Sequence, residues 1–107
     1  MDIDFERAEE IAKRNDRFRR TSTRMMMTSG VVETLPDTLG LVLAIRDFDR
    51  FTEDNDPYGE HDFGSLEWHG EKVFWKIDYY DQQLENGRDP LDVECKRILT
   101  VMLASEY

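Results

Sequence analysis

The chain is poor in the residues that staple, kink or loosen a fold. It has one cysteine, so no disulfide can form within it, which suits a reducing compartment. Three prolines and six glycines in 107 residues leave no collagen-like or low-complexity stretch and no linker. No apolar run approaches the roughly 18 residues that a bilayer-spanning helix needs. The first ten residues, MDIDFERAEE, are acidic where a secretory leader is basic. These absences point to a soluble, cytoplasmic protein with no membrane partner. Positive charge is also scarce: 14 Lys and Arg stand against 24 Asp and Glu, for a net charge of −10.

The imbalance is uneven. Residues 1–24 carry seven basic and six acidic side chains, whereas residues 25–107 carry seven and eighteen. A non-specific grip on a phosphate backbone needs clustered cations facing it. Only Lys13, Arg14, Arg17, Arg19, Arg20 and Arg24 form such a cluster, and the remaining charge opposes it. Direct nucleic-acid binding is therefore not expected, and a basic protein surface is the better partner. The basic cluster is read first as pairing internally with the acidic residues, and second as a separate patch for an anionic partner.

What the chain does have is a core. Hydrophobic residues make up 39% of it, with six Phe, four Tyr and two Trp, enough for one modest domain. Phe5, Ala8, Ile11, Ala12, Asn15 and Phe18 recur at helical spacing and predict a helix over residues 3–20. Met25 to Val32 reads as a short strand, with at least one methionine of Met25-Met26-Met27 facing the core. Thr34 and Pro36 suit a helix start, and Leu39, Leu41, Val42, Leu43, Ile45, Phe48 and Phe51 predict a buried second helix ending before Asp54. Phe63–Trp68 and Lys72–Tyr80 flank His69-Gly70 as a β-hairpin with Val73, Trp75, Ile77 and Tyr79 on its core face. Asp89-Pro90 then opens a predicted last helix with a stripe of Leu91, Cys95, Ile98, Leu99 and Met102. The expectation is a single α+β domain over residues 1–107, in α-β-α-β-β-α order, with a three-stranded, mainly antiparallel sheet packed with helices.

The densest chemistry lies between Glu53 and Asp62. Asp54-Asn55-Asp56-Pro57-Tyr58-Gly59 opens like a calcium loop, but Tyr58 stands at the fifth position and Ser65 at the twelfth, where a bidentate Glu is required. The expected role is a turn whose Asp and Asn side chains bond backbone N–H groups, with no metal and no cofactor. Glu60-His61-Asp62 contains residue types suited to acid–base work. In an extended segment, however, His61 points away from both carboxylates, and no Ser or Cys nucleophile accompanies it. A hydrogen-bonded structural histidine is the plainer reading. Cys95 reads as a packing residue, and Lys76 with Asp78 as an ion pair.

The stretches Asp16-Arg17-Phe18-Arg19-Arg20, FTEDNDPYGEHDFG (Phe51 to Gly64), FWKIDYYD (Phe74 to Asp81) and ILTVMLASEY (Ile98 to Tyr107) resemble a bacterial family known only as a domain of unknown function, family 3768. The chain departs from that pattern in its run of three methionines. The resemblance implies one intact domain and no activity, cofactor or partner; association of such families with plasmids and phages points towards conflict between mobile elements and hosts. The favoured function is a small acidic binding protein presenting Asp54, Asp56, Tyr58, Glu60, His61 and Asp62 to a basic surface. Its sharpest form is an inhibitor that mimics nucleic acid, of the anti-restriction or anti-CRISPR type. The alternative is a small hydrolytic or metal-assisted enzyme using Glu60, His61 and Asp62 with Tyr58.

Overall fold

A computed structural model describes residues 3–107. Helix α1 (Ile3–Thr21) is followed by the two-residue strand β1 (Met26–Met27) and two short helices, α2 (Ser29–Thr34) and α3 (Thr38–Arg46). Strands β2 (Phe63–Trp68), β3 (Glu71–Tyr80) and β4 (Lys96–Leu103) complete the sheet, and a 3-10 turn covers Ala104–Glu106. The sheet order is β1-β4-β3-β2, with β1 parallel to β4 and the other neighbours antiparallel. The α+β class stands, but the sheet has four strands and is mixed.

The hairpin forms as its residues require. Trp68 pairs with Glu71, and the two residues between them, His69 and Gly70, both take positive φ (50° and 84°), as a type I′ turn demands. Alternation along β3 buries Val73, Trp75 and Ile77 on one face. On the other face Lys76 and Asp78 pair at 3.0 Å. Trp75 lies opposite Val101 and meets Phe48 and Phe51 edge-on, closing a core with Val31, Leu35, Leu41, Ile45 and Leu99. Gly64 is required opposite it, because a Cβ there would collide with the Trp75 indole nitrogen, which has no hydrogen-bond partner among the described residues.

Four further expectations are corrected. The last helix is strand β4. Asp89 and Asp92 turn their carboxylates onto the N–H groups of Leu91 and Glu94, each at 2.8 Å, which makes two successive turns instead of a helix start. Beyond them the residues alternate, with Leu99 and Val101 on the core face opposite Ile77 and Trp75. An apolar run this short satisfies both periods, and pairing with β3 decides between them. Cys95 accordingly sits half-buried before β4, with Arg97 Nη1 3.8 Å from its Sγ.

The strand over Met25–Val32 contracts to Met26–Met27. The Thr28 hydroxyl accepts the Val31 N–H and starts α2 instead. Met25 and Met27 pack against the core while Met26 is exposed. The second helix begins at Asp37, not Thr34: the Asp37 carboxylate accepts the Gly40 N–H at 3.0 Å. It ends at Arg46, so Phe48 and Phe51 reach the core from irregular chain, and Leu39 and Leu43 lie exposed. Likewise Phe5, expected on the buried stripe of α1, is 57% exposed, whereas Ile11, Ala12 and Asn15 are buried. No helix among the described residues is long and apolar enough to cross a membrane.

Candidate functional site

The acidic segment folds as a braced loop. Thr52 and Asn55 exchange hydrogen bonds, the Thr52 N–H donating to Asn55 Oδ1 at 3.0 Å and the Asn55 N–H to Thr52 Oγ1 at 3.3 Å. The chain then turns at Gly59, whose φ is +69°. Asp56 is buried beneath this turn and accepts the backbone N–H groups of Glu60 and His61, both at 3.1 Å. This is the turn-bracing role that the residue types suggest, with Asp56 and Asn55 as its agents.

His61 lies at the centre of the site. Its backbone is left-handed (φ 56°), a conformation histidine adopts more readily than most residues. Three contacts hold it: the Asp56 carboxylate on its N–H, the Phe51 ring stacked on the imidazole at 3.9 Å, and Asp16 of α1. The Asp16 oxygens lie 3.0 and 3.1 Å from His61 Nδ1. A carboxylate accepts only, so Nδ1 carries the proton. Nε2 faces Asp56 Oδ2 at 3.7 Å. The two carboxylates of the Glu60-His61-Asp62 triplet do not bond the imidazole; its partners come from α1 and from the turn below.

Asp16 also joins His61 to a fully buried arginine. Arg19 Nη1 donates to Asp16 Oδ1 at 3.0 Å, Nε to the Ile45 carbonyl at 3.0 Å, and Nη2 to the Phe48 carbonyl at 2.8 Å. Its guanidinium lies 5.3 Å from the ring centres of both Phe51 and Trp75. Burial lowers the Arg19 pKa, and Asp16 opposes the shift. Arg19 thus ties α1 to the end of α3 and to the chain that enters the loop. A patterned helix with one arginine one turn beyond Asn15 was the available signal, but the neighbouring surface cations hid it.

A second network runs beside the first. Buried Asn15 donates to the Glu60 carbonyl at 2.9 Å and to the Tyr79 hydroxyl at 2.8 Å, and accepts from Arg97 Nε at 2.7 Å. The Tyr79 hydroxyl in turn donates to Asp62 Oδ2 at 3.3 Å. Burial pushes up the pKa of Asp62, and burial with neighbouring Asp62 and Asp56 does the same for Glu60. Burial also raises Tyr79.

Of the six residues assigned to a partner face, Asp56, His61 and Asp62 point into these networks. Asp54 and Tyr58 are exposed and Glu60 is half-buried. Tyr58, 79% exposed, faces Phe5 across a groove of about 610 Å³ between α1 and the loop, which Arg7, Pro57 and Glu60 also line. A second hollow of about 200 Å³ reaches His61 past Ala8, Ala12 and Gly59. Among the described residues neither is lined by Ser, Thr or Cys. No group of three or more His, Cys, Asp or Glu among the described residues is placed to hold a metal ion.

The basic cluster does not neutralise the acidic turn. Lys13 and Arg14 pair along the helix with Glu9 and Glu10, Arg19 pairs with Asp16, and none reaches Glu53 or Asp54.

A family model described as "Protein of unknown function (DUF3768)" matches residues 27–106. The match leaves out α1, and with it Asn15, Asp16 and Arg19. No curated protein and no solved structure matches the chain.

Proposed function

The chain belongs to the DUF3768 family of proteins of unknown function, and for it we propose a binding role directed at a basic protein surface. The observation that carries it is the pair of exposed aromatic rings, Tyr58 at 79% and Phe5 at 57%, across an open groove. Exposed tyrosine on rigid backbone is a frequent anchor of protein interfaces, and bracing by Asp56, Asn55 and His61 lowers the entropy lost on docking. Glu53 and Asp54 beside it have no cationic partner among the described residues, so their charge is available to steer a basic partner. The finer reading is an inhibitor whose carboxylates stand in for phosphates on a nucleic-acid-binding protein, of the anti-restriction or anti-CRISPR kind. The net charge of −10 supports it.

Affinity capture from host lysate, with the captured complex then titrated with salt, tests this reading. The variant Glu53→Gln/Asp54→Asn/Tyr58→Ala changes only exposed positions and should keep the wild-type melting temperature while losing the captured partner. Equal capture by both proteins refutes the reading.

One observation favours a second reading, a small hydrolytic site at His61: Asp16 holds Nδ1 at 3.0 Å, as a carboxylate orients a general base. The Asp62 carboxylate accepts from Tyr79, Glu60 is tied in through its backbone N–H and carbonyl, and Nε2 faces Asp56. Hydrolase activity on generic ester or phosphodiester substrates that His61→Gln abolishes without loss of fold would favour this reading over binding.

A further inference from the structure

We propose that a second groove, at the C-terminal end of α1, takes an extended acidic peptide segment of a partner protein as an added strand along the open edge of β4. Strand β1 starts only opposite Thr100, so among the described residues the outer edge of β4 from Lys96 to Leu99 has no strand beside it. The Thr28 N–H donates to the Val101 carbonyl at 3.1 Å across that edge. Backbone groups alternate in direction along a strand, so Arg97, half-buried, aims its N–H and C=O at the same edge in front of β1, while Leu99 beyond it is buried against the core. An extended chain laid there would continue the line of β1 and meet those groups, as in β-strand addition.

The surroundings define the occupant. Two adjoining hollows of about 490 and 550 Å³ flank this edge, sharing Phe18, Thr21, Lys96 and Arg97. Among the described residues their lining contains no Asp or Glu, in a chain with 24 of them. It does contain Arg17, Arg24 and Lys96, which are exposed and have no carboxylate partner among the described residues. Phe18, half-exposed Leu84 and exposed Met26 supply apolar surface between the cations. The combination suits alternating carboxylate and aliphatic side chains on one extended backbone. A long polyanion suits it less, because the net charge of −10 repels such a ligand at the distances where steering acts. This groove is independent of the Phe5–Tyr58 surface, so either assignment can fail alone.

Fluorescence anisotropy with a labelled ten-residue peptide of alternating Glu and Val is the direct test. Saturable binding that weakens with salt is expected, together with protection of the Arg97 amide from hydrogen exchange. Arg17→Glu/Arg24→Glu/Lys96→Glu should weaken binding at least tenfold with unchanged circular dichroism. The same peptide N-methylated at alternate residues should fail to bind. Equal binding of the N-methylated peptide overturns strand addition, and equal binding of a Lys–Val peptide overturns the charge assignment. A dT20 oligonucleotide that binds more tightly with the same variant sensitivity would make the site a nucleic-acid groove. Self-association abolished by the triple variant would make the occupant a second copy of the chain. Either of these two results overturns the proposal, as does absence of peptide binding.

Discussion

Replacing Arg19 tests the account of what holds the loop. The side chain is fully buried and donates to two backbone carbonyls, Ile45 and Phe48, and to Asp16. Hydrogen bonds from a charged donor contribute about 1.5–3 kcal/mol each, and removing one partner leaves the others desolvated. Breaking a buried pair of this kind costs about 3–5 kcal/mol in all. Arg19→Met keeps most of the volume but abandons two carbonyls and the Asp16 carboxylate, so that full loss is expected. For a domain of this size it corresponds to a fall in melting temperature of roughly 12–20 °C, at about 4 °C per kcal/mol. Arg19→Lys keeps the charge but not the planar fork, and cannot reach three acceptors with the same geometry. About half the loss is expected there. Urea unfolding followed by tryptophan fluorescence is well suited to the measurement, because Trp75 lies beside the guanidinium. A lysine variant within about 0.5 kcal/mol of wild type, the usual span of a neutral surface change, would refute the three-acceptor account.

Further outcomes follow from the same geometry. Asp56→Ala leaves the Glu60 and His61 N–H groups unpaired and should cost about 2–4 kcal/mol, read from the urea midpoint, whereas Asp54→Asn on the exposed side should change it by less than about 0.5 kcal/mol. Gly64→Ala should cost about 1–3 kcal/mol by forcing the Trp75 indole aside, with a shifted near-ultraviolet dichroism band as its signature. Burial raises the Asp62 pKa in the fold, so its contribution to stability is fullest below the unfolded carboxylate range and is lost as pH rises through the folded value. Ionised Asp62 therefore weakens the fold at neutrality. Asp62→Asn, which can still accept from Tyr79, should raise the melting temperature at pH 7, with a gain that vanishes below the usual aspartate value of 3.8; calorimetry showing a fall at pH 7 would contradict this.

The sequence by itself determined the elements whose signals are local. The His69-Gly70 turn between two alternating strands, the burial of Trp75 and Ile77, the helical stripe of Ile11, Ala12 and Asn15, and the turn-forming role of Asp56 all depend on residues near one another in the chain. Tertiary structure decided the rest. Ile98, Leu99 and Met102 fit a helix stripe as well as a strand, and only hydrogen bonding to β3 makes them β4. Asp16 and His61 are 45 residues apart, and Arg19 is 26 from Ile45, so no spacing rule could join them. Arg19 and Arg17 look alike as letters in a basic cluster. One is buried against carbonyls and aromatic rings and the other faces an open groove, because α1 turns about 100° per residue and places them on different sides. The same packing turns three of the six presumed surface residues inward and leaves Tyr58, with Phe5 across the groove, to face solvent.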